Sequence, residues 1–409
     1  MDRHEPLRTI FHEKDGQARQ HILDTVAVEL PVTDTEARVA EVCGYAFDLA
    51  TELPFRAELV RLDDDEHVLV LVLHHIVSDG WSMLPLARDM SSAYTARLAG
   101  ERPRWETLSA QYADYALWQR EHPLDEQLAH WKSTLDGLPE RIELPIDRPY
   151  PAEASYDSGA VRFTWEPEVR ESLVALARET GVSVFMVLHA AVAVTLSRMG
   201  AGEDIALGTP TAGRTDEALD DLVGFFVNTL VLRTDLSGNP SFVELVRRVR
   251  ETDLAAYANQ DVPFEQVVDE VRPVRSLAHN PLFQVMIALQ DIASPDIALP
   301  GLDVEVVSGQ PDAAKFDLSF ILAEDETGVT GSVEYRTDVF DHATVEDIAA
   351  RLGTVIKAVL ADPSMKIADL DLIDAAERQQ LAEWNSTRVD FPGATLPELF
   401  EAQAAATPD

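Results

Sequence analysis

The chain has 409 residues, 46% hydrophobic and 26% charged, a composition typical of a globular protein long enough for two or three lobes. It carries 72 acidic and 33 basic residues, a formal net charge of −39, which argues against binding to nucleic acid or to an anionic membrane. No apolar run reaches transmembrane length, and MDRHEPLRTIF contains no signal-peptide segment.

One cysteine, Cys43, is present, so an internal disulfide is impossible and a reducing cytoplasm is the expected setting. We predict that Cys43 is a small buried apolar residue rather than a nucleophile, because no His or Asp pattern serves it.

In the first half of the chain, apolar patterns predict strands at Ile22–Leu30, Phe55–Leu62 and His67–Leu73 and a helix at Thr35–Phe47. The acidic tetrad Asp63–Glu66 indicates a solvated hairpin turn rather than a metal site. A continuous helical pattern covers Leu108–Leu135.

The strand ending near Leu73 is followed by LHHIVSDGWSM. Ser82 is a suitable N-cap for a helix through Leu98, and Pro85 falls in its first turn, where a missing N–H costs little. The segment therefore lies at a strand-to-helix junction, where backbone amides and the positive end of a helix point toward the same space.

The second half of the chain interleaves strands and helices, which predicts an α/β fold with layered α+β character. The stretch ELPIDRPYPAEASYDSG indicates a connection between two lobes. Helices are predicted at Val169–Arg178, Val184–Arg198, Phe242–Ala258 and Val345–Leu360. Strands are predicted at Val161–Trp165, Ile205–Pro210, Phe225–Leu232, Phe283–Leu289, Val304–Val307, Phe316–Leu322 and Val329–Tyr335.

His74 and His75 are adjacent at the end of a predicted strand, so their side chains should face opposite sides. Histidine can accept and return a proton near neutrality because its unperturbed pKa is about 6.5. Asp79 should find an arginine or a group of backbone N–H groups, because a buried unpaired carboxylate is costly. The residues leave two interpretations open, a catalytic base or two structural histidines.

The sequence contains no motif for a serine nucleophile, a phosphate-binding loop or a metal site. GxSxG, which would place a serine nucleophile, is absent, and so is the phosphate-binding GxxxxGK[ST]. Neither HExxH nor CxxC accompanies the histidine pair, so no metal is expected.

HHIVSDGWS (residues 74–82) resembles the HHxxxDG active-site motif of nonribosomal peptide synthetase condensation domains. The tail EWNSTRVDFP…LPELFEAQAAATPD resembles the linker and opening of an adenylation domain. Five more segments resemble the family's motifs in the family's order, namely RHEPLRTIF (Arg3–Phe11), GTPTAGR (Gly208–Arg214), VGFFVNTLVLR (Val223–Arg233), NQDVPFEQVV (Asn259–Val268) and HNPLFQVM (His279–Met286).

Three features of the sequence depart from the family pattern, one missing motif and two single residues. The family's first motif is missing before RHEPLR, so we expect a domain cut short at its front, with Met1 almost inside the second motif. Asn259 and Pro397 each replace a common histidine, at places outside the active-site motif. We expect the N-terminal lobe at 1–145, the C-terminal lobe at 146–373, and the linker with the start of an adenylation domain at 374–409.

The resemblance implies two lobes like chloramphenicol acetyltransferase, set in a V as a pseudo-dimer, with a tunnel between them. It implies peptide-bond formation between a donor acyl- or peptidyl-thioester and an acceptor aminoacyl-thioester. Both substrates ride on the phosphopantetheine arms of upstream and downstream peptidyl carrier proteins, and the domain itself has no cofactor. Its neighbour in the synthetase is an adenylation domain.

The resemblance also implies residue roles. His75 is the base or orients the amine, His74 and Gly80 shape the motif, and the Gly80 region helps to stabilise the oxyanion. Asp79 forms a structural ion pair. Its first expected partner is Arg214, and its second is Arg3 or Arg8. The residues expected to line the channel are Trp81, Ser82, Asn228 and Thr229.

Alternatives stay open at this point. HxxxD is shared with coenzyme-A acyltransferases of the same fold, although the later motifs argue against that assignment. A heterocyclisation domain usually has Asp at the position of His74. A different class, a non-catalytic docking module or an inactive fragment, is opposed by the intact motif and favoured by the missing front.

Overall fold

The computed structural model describes residues 1–290, 297–307, 313–388 and 393–408. It contains two compact units, Met1–Ala368 and Asp369–Asp409. The first unit holds every strand found among the described residues and the HHxxxDG segment, so it is the unit that positions the candidate site. The lobe boundaries expected from the sequence stay a prediction.

Two small sheets form from the first hundred residues. β1 and β2 pair as a hairpin, and a three-stranded sheet has the order β3-β4-β5. One helix, α1, covers this sheet through Val42, which packs with Val60 and Val70. The elements are β1 (Thr9–Lys14), β2 (Gln17–Ile22), β3 (Val32–Thr33), α1 (Ala37–Cys43), β4 (Phe55–Arg61), β5 (His67–Leu73) and α2 (Met83–Leu98).

The larger sheet has six strands in the order β6-β11-β10-β9-β7-β8. It is mixed, because β9 pairs in parallel with both β10 and β7 while the other pairs are antiparallel. Its strands are β6 (Ser158–Trp165), β7 (Asp204–Thr211), β8 (Asn228–Asp235), β9 (Val285–Gln290), β10 (Leu318–Asp325) and β11 (Gly328–Arg336).

Helices pack against this sheet and enclose the main core. The most buried is α6, in which every residue from Met186 to Leu196 is buried. Among the described residues, Val184–Ala201 is long and apolar enough to span a membrane by composition, yet 67% of it is buried inside the protein, as expected for a core helix. The remaining helices of this unit are α3 (Tyr112–Glu121), α4 (Asp125–Thr134), α5 (Pro167–Thr180), α6 (Val184–Leu196), α7 (Phe242–Ala258), α8 (Phe264–Val271) and α9 (His342–Ala361).

The predicted α/β layering is confirmed, and several predicted elements need correction. The strand predicted at Ile22–Leu30 is wrong, because the chain pairs earlier, through a two-residue Asp15-Gly16 turn. Both turn residues have positive φ, 58° and 75°, which is the geometry of a type I′ hairpin. The strand predicted at Val304–Val307 is also wrong, since these residues have no regular structure.

Two smaller expectations fail for local reasons. The helix predicted over Leu108–Leu135 is two helices, α3 and α4, separated near Pro123, which cannot continue a helix. Cys43 is exposed rather than buried, because it ends α1 while Val42 takes the face that packs on the sheet.

The second unit contains α10 (Ala375–Trp384) and α11 (Leu396–Ala406). Each helix begins with a capping box, made by Asp374 with Glu377 and by Thr395 with Glu398. Within the segment compared with an adenylation opening, residues 389–392 lie outside the described residues.

Candidate active site

Residues His74–Ser82, here called the HHxxxDG loop, connect β5 to α2. The His74 N–H donates to the Pro54 carbonyl at 3.0 Å, which fixes the end of the strand. Two short 3-10 turns follow, His75–Val77 and Gly80–Ser82. The loop is thus irregular but hydrogen-bonded at both ends.

His75 presents an exposed imidazole. Its Nδ1 lies 2.7 Å from the Ser78 carbonyl oxygen, which can only accept, so Nδ1 carries the proton. The neutral ring then keeps its lone pair on Nε2. Phe225 packs edge-on against the imidazole, with ring centroids 5.0 Å apart. The geometry leaves Nε2 as the free proton acceptor of the loop.

His74 differs from its neighbour. Its Nδ1 accepts a hydrogen bond from the Ile76 N–H at 3.0 Å, so the ring braces the loop backbone. The ring is half-buried and lies edge-on to Phe47, with centroids 6.1 Å apart. Burial, with a smaller contribution from His75, lowers the pKa of His74. His74 therefore stays neutral while it shapes the loop.

Asp79 is 4% exposed and accepts hydrogen bonds on both carboxylate oxygens. Its Oδ1 accepts from the Ser82 N–H at 2.9 Å and from Arg214 Nη2 at 3.0 Å. Its Oδ2 accepts from the Phe226 N–H at 2.9 Å. The guanidinium of Arg214 also lies over the Phe226 ring, 4.2 Å from its centroid. Asp79 and Arg214 thus form a buried ion pair that ties the loop to the 211–226 segment.

The other two arginines expected near Asp79 lie elsewhere. Arg3 pairs with Asp89 at 2.8 Å, and Arg8 pairs with Glu5 at 3.4 Å. Their segment instead supports the loop by packing, because Leu7 is buried against Val77 and Val223. Both are therefore corrected as partners of Asp79.

Ser82 does not line a channel, contrary to the sequence prediction, because it is fully buried. Its Oγ lies 2.8 Å from Asp79 Oδ1 and 2.9 Å from the Gly224 carbonyl oxygen, and it accepts from the Gly224 N–H at 3.1 Å. A buried hydroxyl with these bonds holds two segments together and cannot attack a substrate. Trp81 is half-buried and Gly80 exposed, both on the side of the loop that reaches solvent.

Two glycines allow the 211–226 segment to fold closely on itself and against Tyr112, in the position where Phe226 and Gly224 bond to the loop. Gly213 has φ +64°, and a Cβ there would lie 1.9 Å from the Phe226 carbonyl oxygen. A Cβ on Gly224 would lie 2.5 Å from the Tyr112 ring. Any side chain at either position would push this segment away from Asp79.

Asn228 is hydrogen-bonded at every side-chain group. Its Nδ2 donates to the carbonyls of Gln260 at 2.8 Å and Val262 at 2.7 Å, and its Oδ1 accepts from the N–H groups of Phe264 and Thr229. It therefore ties the start of β8 to the 260–264 loop. These bonds also explain why β8 begins at Asn228, although the sequence predicted a strand from Phe225.

A pocket of about 230 Å³ is connected to the loop through Phe225, which lines the pocket and packs against His75. Asn228 and Thr229 are among its lining residues. We call it the aromatic–acidic pocket after the residues that give its character, namely Tyr112, Tyr115, Phe225, Phe226, Asp261 and Glu265. A larger pocket of about 410 Å³ is lined by residues such as Trp131 and Arg233 and contains no residue that contacts His75. Neither pocket is lined by a described residue of the HHxxxDG loop itself.

Comparison with known proteins assigns the family. The Condensation domain model matches residues 1–382. The chain is 47% identical over 430 residues to the dimodular nonribosomal peptide synthase of Bacillus subtilis (strain 168), covering 100% of this chain and 18% of that protein. It is 43% identical over 438 residues to the isonitrile lipopeptide synthase of Mycobacterium tuberculosis (strain ATCC 25618 / H37Rv), covering 100% of this chain and 17% of that protein.

Comparison with solved structures supports the same family assignment. The X-domain from teicoplanin biosynthesis superposes with a TM-score of 0.85 at 36% identity, covering 90% of this chain and 87% of that one. The complex of the X-domain and OxyB from teicoplanin biosynthesis matches with a TM-score of 0.84 at 35% identity, covering 91% of this chain and 86% of that one.

The chain belongs to the condensation-domain family. It spans less than a fifth of the length of the two relatives named above. The fold is that of condensation domains and X-domains, an α/β fold with mixed sheets.

Proposed function

We propose that this chain forms the peptide bond between a donor acyl- or peptidyl-thioester and an acceptor aminoacyl-thioester, each carried on the phosphopantetheine of a carrier protein. The observation that supports this most directly is His75, an exposed imidazole whose Nδ1–H is held by the Ser78 carbonyl so that Nε2 is free. The match to the condensation-domain model supplies the reaction class.

In this mechanism the acceptor amine attacks the donor carbonyl carbon directly. Nε2 of His75 orients the amine and accepts its proton, and the backbone near Gly80 stabilises the oxygen that becomes negative. The C–N bond forms, the C–S bond breaks, and the proton passes to the departing thiolate of the donor arm. No covalent enzyme intermediate is required, in keeping with the buried and fully hydrogen-bonded Ser82.

Much of the rate would come from holding two tethered substrates together. Effective molarity of well-oriented reactants can supply about 7–11 kcal/mol of the barrier. The network of Asp79, Arg214 and Ser82 contributes by fixing the loop that carries His75. Asp79 therefore acts as a positioning residue, one step removed from the substrates.

The test is a condensation assay with purified donor and acceptor carrier proteins, each loaded with an amino acid. We expect dipeptidyl-thioester from the wild type and a loss of roughly 10² to 10⁴ in rate in His75→Ala, the contribution of a positioned base. His67→Ala, at the exposed beginning of the same strand, is the matched control and should keep full activity. Equal rates in His75→Ala and His67→Ala would remove His75 from the mechanism.

A second candidate is a docking module. The likeness to the teicoplanin X-domain, also solved in a complex with OxyB, favours it. Under this proposal the loop serves only to hold the domain together, and the loaded carriers yield no product although the chain binds a synthetase partner. The same assay therefore separates the two candidates.

We further propose that residues beyond 382, which the family model does not match, belong to the linker and opening of an adenylation domain. Their resemblance to such an opening supports this assignment. In this arrangement the chain works in the cytoplasm, between carrier proteins and an adjacent adenylation domain, and uses no cofactor of its own.

A further inference from the structure

The aromatic–acidic pocket and the exposed imidazole share one neighbour, Phe225. Its ring lies edge-on to His75, with centroids 5.0 Å apart, and the residue is also among those that line the pocket. Phe225 is 38% exposed, which is unusual for a phenylalanine at the centre of a site and shows that the ring borders open space. Phe225 is therefore the residue that links the pocket to the imidazole of His75.

The backbone around Phe225 is fixed by hydrogen bonds. The Phe225 carbonyl accepts a hydrogen bond from the Tyr112 hydroxyl at 2.8 Å. On either side in the chain, the Phe226 N–H donates to Asp79 and the Gly224 N–H donates to Ser82. A side chain on a backbone held at three consecutive residues has a fixed position, so the size of residue 225 limits the space between the pocket and His75.

The pocket also has a defined charge. Among the described residues that line it, Asp261 and Glu265 are the only carboxylates, and none is a lysine or arginine. Arg214, which lies over the Phe226 ring, is already paired with Asp79. Burial raises the pKa of Tyr112 to about 12, so its hydroxyl stays protonated and uncharged. The pocket is therefore apolar in its walls and negative overall, which repels carboxylates and phosphate and suits neutral or cationic groups.

We propose that the aromatic–acidic pocket receives the side chain of a carrier-bound amino acid, and that Phe225 is a specificity-determining residue that limits its bulk. The accepted class is neutral or cationic side chains, and anionic ones are excluded by Asp261 and Glu265. This inference rests on the proposed condensation reaction. The inference goes beyond the proposed reaction because it names the residues that select the substrate.

The first experiment measures kcat/KM for amide formation with a small and a bulky side chain, alanine and tryptophan, loaded in turn on the donor and on the acceptor carrier. Phe225→Ala should raise the tryptophan-to-alanine ratio about tenfold or more at one of the two carriers, and Phe225→Leu should raise it less. Leu277→Ala, at a residue that is 72% exposed and outside the pocket, is the control and should leave the ratio unchanged.

The second arm tests charge with glutamine and glutamate as an isosteric pair. The wild type should prefer glutamine at the carrier identified by the first arm, and Asp261→Asn with Glu265→Gln should reduce this preference about tenfold. Glu326→Gln, in the exposed turn between β10 and β11, is the control for loss of a surface carboxylate outside the pocket and should leave the preference unchanged. Unchanged ratios in both arms, with wild-type condensation intact, would overturn the inference. Absence of any amide in the wild type would instead defeat the proposed function.

Discussion

Two regions of this domain contain a histidine, an aspartate and a hydroxyl, and they differ in how the histidine is bonded and in its access to solvent. In the core, His189 lies 3.0 Å from Asp253 through Nδ1 and 3.0 Å from the Thr234 hydroxyl through Nε2, the arrangement of a catalytic triad. All three residues are at most 1% exposed. At the HHxxxDG loop, His75 has no carboxylate partner but is exposed. Access to a substrate, more than the hydrogen-bond pattern, separates the catalytic candidate from the structural network.

The strongest test of this comparison removes Asp253. Asp253→Ala leaves the His189 Nδ1–H without a partner between α6, α7 and β8, so we expect a loss of about 3 kcal/mol in the free energy of unfolding. The condensation rate of the protein that remains folded should not change. Urea unfolding and the carrier assay measure the two effects separately, and a rate loss without a loss of stability would make the core network catalytic.

A substitution of Arg214 tests the HHxxxDG loop, the other region of the comparison. Arg214→Met leaves Asp79 buried without its cation, which should cost about 3 kcal/mol of stability. It should also slow condensation, because the loop carrying His75 loses its anchor. Restoring neutrality with Asp79→Asn in the same chain should recover part of the stability, so that the double mutant costs less than the sum of the two single mutants.

A smaller effect is expected at Gly213. Gly213→Ala forces a Cβ toward the Phe226 carbonyl at positive φ, and we expect about 2 kcal/mol of destabilisation together with slower condensation. Gly238→Ala is matched in φ, at +79°, but its Cβ would meet nothing within 4 Å. It should cost about 1 kcal/mol and leave condensation unchanged. Similar effects on condensation in both variants would show that strain, rather than displacement from Asp79, is the cause.

Sequence motifs predicted the loop, its strand-to-helix setting and the need of Asp79 for a cation. The resemblance named Arg214 as the first expected partner and Arg3 or Arg8 as the second, and in the structure Arg214 bonds to Asp79 across 135 residues of sequence. The residue pattern alone could not rank the three, because Arg3 and Arg8 belong to an equally recognisable motif. Ser82 was placed in the channel because sequence spacing does not show which face of a short turn is buried. The core network was missed entirely, since its members lie on three elements with 45 and 64 residues between His189 and its two partners.

The smallest expected effect concerns His74. Its pKa is lowered in the folded state by burial, so the unfolded chain binds more protons at mildly acidic pH. At pH values well above its unfolded pKa of about 6.5, the titration of His74 therefore makes no contribution to stability. As the pH falls through that value, the titration of His74 destabilises the fold. His74→Asn keeps a side-chain acceptor for the Ile76 N–H but does not titrate, so unfolding measured from pH 8 to pH 5 should show a shallower loss of stability in the variant. An identical pH dependence in the two proteins would mean that His74 is protonated without cost, and that it differs less from His75 than the structure indicates.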